Sequence, residues 1–214
     1  MRRDHTENVH KSAKLTRART TGSASGFSLI EITTVVAIVL LIATIAIPAL
    51  KSGLQTMSTA SDARAIAAQL ALAKMRAASQ FTDARVNFNS FTKNSTTNTY
   101  QYQVEVYNQG TSTWATDQTG GVNTGVQNLS TNTSYGFSTI TTPAGSQTSP
   151  ITNWNTIEFN SRGIPVTSGL APTVNYAVYI NNGNGQYYAV TVSISGNIQI
   201  WQMNGTSGTW TQFY

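Results

Sequence analysis

The sequence predicts an α+β protein. One long N-terminal helix, its first half transmembrane and its second half amphipathic, packs on a C-terminal antiparallel β domain. Three observations lead there. Residues 32–50 carry no charge, and about 20 apolar residues suffice for a helix to cross a bilayer. From Lys51 to Gln80 apolar residues recur at helical spacing and alanine is dense, which suits a helix with one packed face. Beyond Gln80, Ser, Thr, Asn, Gln and Gly dominate and apolar residues alternate, the period of a strand.

The elements follow in order. Residues 1–26 are polar and hold six basic residues (Arg2, Arg3, Lys11, Lys14, Arg17, Arg19) against Asp4 and Glu7. A secretory signal has its apolar stretch before the cleavage site; here the apolar stretch comes after this leader, so cleavage would leave the anchor in place. A basic flank stays cytoplasmic, which puts the C-terminal part outside. Residues 27–50 are the transmembrane helix. Glu31 sits about one turn beyond Phe27, where an ionisable group in lipid is costly and calls for a partner. Pro48 removes a backbone hydrogen bond and should kink or loosen the helix, and Gly53 weakens the same stretch.

The helix is read from about Phe27 to Ser79, roughly 80 Å at 1.5 Å per residue. In its amphipathic stalk, 51–80, Leu54, Met57, Ile66, Leu70 and Ala77 share a face, with Asp62, Arg64, Lys74 and Arg76 elsewhere. Within the β-rich domain, 81–214, the strands are 84–90, 99–107, 156–160, 176–181, 186–194 and 197–203. Asn182-Gly183-Asn184-Gly185 and Ser195-Gly196 read as hairpin turns, so the last strands form a meander with one face buried. Residues 108–155 are a long variable loop region with one or two short strands.

Composition excludes several kinds of chemistry. The chain has no cysteine, so neither disulfides nor thiolate catalysis are open to it. Its two histidines, His5 and His10, both lie in the leader. Without them a Ser-His-Asp or Cys-His nucleophile and a His-based metal site are out of reach. Past the anchor the acids Asp62, Asp83, Glu105, Asp117 and Glu158 are scattered, without calcium-loop spacing. No enzyme, cofactor or metal is expected. Nucleic acid is not expected either: binding it takes a basic stripe, and after Lys93 Arg162 is the one basic residue. Asn94, Asn128, Asn132 and Asn204 head glycosylation-type triplets, as chance provides in so Asn-rich a chain.

The residues Gly26-Phe27-Ser28-Leu29-Ile30-Glu31 and the apolar run behind them resemble the prepilin signal of type IV pilins and of type II secretion pseudopilins. Ala65–Gln80 running into Arg85-Val-Asn-Phe88, Thr156-Ile-Glu-Phe-Asn-Ser-Arg-Gly-Ile-Pro-Val166 and the 190–200 hairpin resemble H-type pseudopilins and related minor pilins. The leader is longer than in many such proteins. The resemblance implies cleavage between Gly26 and Phe27 by a prepilin peptidase, followed by N-methylation of Phe27. It further implies that Glu31 faces the Phe27 amine of a neighbouring subunit, setting register in a filament. Absent such pairing, Glu31 would be a protonated or snorkelling side chain near the interface. Pro48 would serve local melting of the helix during packing, or be a tolerated kink.

The implied function is structural. It is that of a minor pseudopilin in the inner membrane, assembling with other pseudopilins into, or capping, a periplasmic pseudopilus for protein export. The alternative is a minor type IV pilin at a pilus tip, acting in adhesion or DNA uptake, for which Tyr187, Tyr188, Trp201 and Trp210 would offer an aromatic surface.

Overall fold

The computed structural model describes residues 26–117, 125–147, 151–167, 175–206 and 208–213; the basic leader and both histidines lie outside them. The chain divides into two units, one ending at Thr44 and one beginning at Ile45. A single α-helix, α1 (Leu29–Gln80), contributes to both and runs through Pro48 without a break.

The C-terminal unit is α+β. After α1 come β1 (Ala84–Asn87), a 3-10 turn (Asn89–Phe91), β2 (Gln101–Asn108), β3 (Thr113–Thr116), β4 (Val126–Asn128) and β5 (Ser134–Tyr135). Then follow β6 (Thr156–Phe159), β7 (Pro165–Val166), β8 (Tyr176–Asn181), β9 (Gln186–Val192), β10 (Ile198–Asn204) and β11 (Thr211–Gln212). The strands form two antiparallel sheets. The first runs β3-β2-β1-β6-β7, with β4 also pairing β2; the second runs β11-β10-β9-β8-β5. β2 can hold two partners on one edge because β3 takes 105–108 and β4 takes 101–103. The described residues of 108–155 thus hold three short strands where the sequence suggested one or two.

The core lies between α1 and the inner faces of both sheets. Ala63, Ile66, Leu70, Ala73 and Ala77 of α1 meet Val86, Val104, Ile157, Phe159, Val178, Ile180, Val190 and Val192, all fully buried. Ile66, Leu70 and Ala77 were legible as this face, but Leu54 and Met57 are not on it: they are 57% and 71% exposed. At 3.6 residues per turn, Met57 lies about half a turn around the helix from Ile66 and Leu54 about a third. The buried stripe is continued instead by Ala60, Thr59 and Asp62.

Two turns clasp the helix through one lysine. Lys74 Nζ donates to Gly196 O at 2.9 Å, and its methylenes lie against Gly163. Both glycines have left-handed backbone, φ +71 and +77. A Cβ at Gly196 would stand 2.6 Å from Gly163 O, so the hairpin turns close on the lysine only with glycine.

The second sheet is buried on both faces, not one. Tyr176, Val178 and Ile180 of β8 point to the main core. Ala177 and Tyr179 point the other way and are covered by Phe137, Ala144 and Ile151. The cover is fastened by Tyr179, whose hydroxyl donates to Gln147 Oε1 and accepts the Ala144 N–H at 3.1 Å. Part of the low-complexity stretch is therefore packed structure.

Candidate membrane and assembly segment

The segment begins with three non-helical residues, Gly26, Phe27 and Ser28. Ser28 opens α1: its carbonyl accepts the N–H groups of Glu31 (3.0 Å) and Ile32 (3.2 Å). With glutamate three residues later, the sequence has the residue types of a capping box. Glu31 lies in the first turn, where the helix dipole favours a negative charge. It shares with Phe27, Ile32, Val35 and Val36 an open, largely apolar groove of about 250 Å³. Phe27, 80% exposed, and Glu31 of the same chain thus border one concavity, whereas the expected pairing is between neighbouring subunits.

Beyond Glu31 the helix is bare. Ile32, Val35, Val36, Ile38, Val39, Leu40, Leu41, Ile42, Ile45, Ile47 and Leu50 are each at least half exposed. Soluble monomers rarely leave so continuous an apolar surface in water. Among the described residues α1 is the one helix long and apolar enough to cross a membrane, and none of its most apolar window is buried within the chain. Thr33, Thr34 and Thr44 fold their hydroxyls back onto Ile30 O and Leu41 O, which satisfies these polar groups without outside donors. Pro48 sits at the C-terminal end of this run, inside the helix.

Among the described residues no three His, Cys, Asp or Glu side chains gather as a metal site would require. On the outer face of the first sheet, Glu105 accepts from Arg85 Nε (2.6 Å), Asn87 Nδ2 (3.2 Å) and Gln103 Nε2 (2.5 Å). Arg85 also lies 4.0 Å over the Trp114 ring. The Arg85 guanidinium is engaged within the fold.

The aromatics singled out as a binding surface are mostly internal. Tyr188 is 1% and Tyr187 8% exposed. The indole N–H groups of Trp201 and Trp210 donate to Thr191 Oγ1 (3.0 Å) and Thr142 O (2.8 Å). Packing on a sheet buried on both faces accounts for them.

Asp62 is the residue whose role sequence reasoning missed. It was placed off the buried face, yet it is 8% exposed and accepts Ser130 N–H (3.0 Å) and Ser130 Oγ–H (3.1 Å). Burial pushes its carboxyl up from the ordinary value, against the lowering effect of the Thr133 and Ser130 bonds. The available signal was its spacing of four from Ile66 and of eight from Leu70, which puts it near that face.

No family model matches this chain, and no curated protein matches it in sequence. It is similar to a solved structure of the minor pseudopilin EpsH from the type 2 secretion system of Vibrio cholerae. Identity is 15% over 65% of this chain and 92% of that chain, with a TM-score of 0.43. A second structure of the same EpsH is 10% identical over 69% of this chain and 94% of that one, with a TM-score of 0.40.

Proposed function

We propose that the chain is a minor pseudopilin of the H type, a structural subunit that joins or caps a periplasmic pseudopilus of a type II secretion system. One observation carries the reading. The bare helix that begins just after Gly26-Phe27, with Glu31 in its first turn, continues as the packed helix of an α+β head. Such a chain has an anchor that other helices or lipid must cover, and a head with its own packed core.

In this reading a prepilin peptidase cuts between Gly26 and Phe27 on the cytoplasmic side of the inner membrane, and Phe27 is then N-methylated. The new ammonium stands at a helix N-terminus, where the dipole disfavours positive charge. Glu31 of a neighbouring subunit answers it, and in a low-dielectric bundle either charge left alone costs several kcal/mol. The pair sets axial register. Pro48 loosens the helix where the bundle leaves the bilayer.

The test is crosslinking of the native protein in membranes, with partners and the mature N-terminus read by mass spectrometry. Other pseudopilins as partners, with methylated Phe27 as first residue, are the expected result. Major pilin and tip adhesins as partners would move the protein to a surface pilus. An intact Met1 with no filament partner would end the pilin reading.

A further inference from the structure

The chain holds three Asn-Gly pairs: Asn182-Gly183, Asn184-Gly185 and Asn204-Gly205. In such a pair the glycine nitrogen can attack the asparagine Cγ, since glycine has no Cβ to hinder the approach. The following residue is the same in all three, so the local sequence does not rank them. All three lie where the β8–β9 turn meets the end of β10, and there the fold treats them differently.

The attacking group is the backbone nitrogen after loss of its proton, and a hydrogen bond from that N–H holds the proton and aims the nitrogen elsewhere. Gly183 N–H donates to Asn181 Oδ1 at 3.1 Å. Gly205 N–H donates to Gly185 O at 2.7 Å. Gly185 N–H donates to no group among the described residues.

The asparagines rank in the same order. Asn182 is 7% exposed, and its Oδ1 accepts Asn184 N–H (2.8 Å) and Gln186 N–H (3.2 Å), which locks its carbonyl on the turn. Asn204 Oδ1 accepts from Gln202 Nε2 at 3.2 Å. Asn184 is exposed, and its side chain makes one hydrogen bond, from Nδ2 to Gln55 Oε1 on α1. Its carbonyl is left to solvent.

We propose that Asn184-Gly185 is a self-modifying site, which converts to aspartate and isoaspartate ahead of the other two pairs. Gly185 N gives its proton to solvent base and bonds to Asn184 Cγ. The Cγ–Nδ2 bond breaks, and Nδ2 takes up a proton and leaves as ammonia. Water then opens the five-membered imide at one of its two carbonyls. Opening at Cγ leaves aspartate on an ordinary backbone; opening at the main-chain carbonyl leaves isoaspartate, with the backbone running through Cγ. One water is consumed, one ammonia is released, and nothing is oxidised or reduced.

Either product replaces the Nδ2 donor with a carboxylate, so the bond to Gln55 Oε1 is lost. The chain has no charged side chain after Arg162, so the reaction puts the first charge on β8–β11 and unties their turn from α1. The site lies in the head and does not depend on the pseudopilin reading.

The test incubates the purified full chain in detergent in mildly alkaline buffer, with timed proteolysis and mass spectrometry, isoaspartate being told from aspartate by enzymatic methylation. Asn184 should convert about fivefold faster than Asn182 and Asn204, the rate equivalent of one hydrogen bond. In guanidinium chloride the three rates should converge. Equal rates in the folded chain, a faster Asn182 or Asn204, or a preference that survives denaturant would overturn the proposal. Asn184→Asp mimics one product and should speed hydrogen exchange at 182–186 relative to the parent; unchanged exchange there would show that the turn is not untied.

Discussion

Asp62 shows how one residue couples the helix to the head. Its carboxylate ties α1 to Ser130, 68 positions away in sequence, and lies near Tyr102, whose hydroxyl burial, and secondarily the Asp62 charge, push upward; Tyr135 is raised by burial first, then by Tyr102 and Asp62. Because desolvation raises the folded pKa of Asp62 above the ordinary 3.8, the folded state holds the proton more tightly than the unfolded chain does. Between the two pKa values stability therefore falls as pH rises, and above the folded value the penalty is complete. Asp62→Asn removes the charge and keeps an acceptor for Ser130. Its stability relative to the parent should increase from pH 4 to pH 7, as measured by denaturant titration at both. Asp62→Ala strands the Ser130 N–H and should cost about 1–3 kcal/mol. A parent-to-Asn difference that is flat with pH would show that the carboxyl is not titrating in the fold.

At the scale of elements, the helix face is a quantitative matter of angle. Leu70 is fully buried, so Leu70→Ala should cost about 2–5 kcal/mol. Met57→Ala, on the opposite side, should stay within about 0.5 kcal/mol; thermal melts of the two variants check the register directly. The sequence misplaced Leu54 and Met57 because a run with apolar residues at several offsets admits more than one face. Only the sheets decide which one is buried, and they chose the alanines. The six strands expected from the sequence were legible to within a few residues because runs such as Ala189-Val-Thr-Val-Ser-Ile194 alternate and are followed by turn glycines. β5, β7 and β11 are two residues long, too short to show a period, and exist because a neighbouring strand offers an edge. The cover over β8 and β9 was hidden for a related reason: it is held by single anchors such as Tyr179, not by a pattern. Burial pushes the Tyr179 hydroxyl up to about 12, so it stays a neutral donor. Tyr179→Phe leaves Gln147 and the Ala144 N–H without their partner and should cost about 1–3 kcal/mol. The matching sign is faster hydrogen exchange at Ala144 and Gln147 than elsewhere in the second sheet.

For the whole molecule, the question is what separates an anchor from an assembly element, since any apolar helix of this length can do the first. A plain anchor gains nothing from Glu31: a carboxylate in the first turn beside Phe27 only makes insertion dearer. An assembly element uses it, because the cost falls away when a neighbouring ammonium fills the same groove. The two roles split under mutation. Glu31→Ala should leave insertion and leader removal intact, and should abolish incorporation into filaments, as judged by co-purification and crosslinking with partner subunits. Gly26→Leu should do the reverse at the first step, blocking leader removal by overfilling a tight protease subsite, so that the chain stays at its full precursor mass in the membrane. If Glu31→Ala chains co-assemble like the parent, the carboxylate has no register role. If Gly26→Leu chains are still shortened, the cleavage site lies elsewhere. The head domain should be indifferent to both changes, since its core is built from residues beyond Thr59, and equal melting of the head in both variants is the control that assigns any loss to assembly and processing, not to folding.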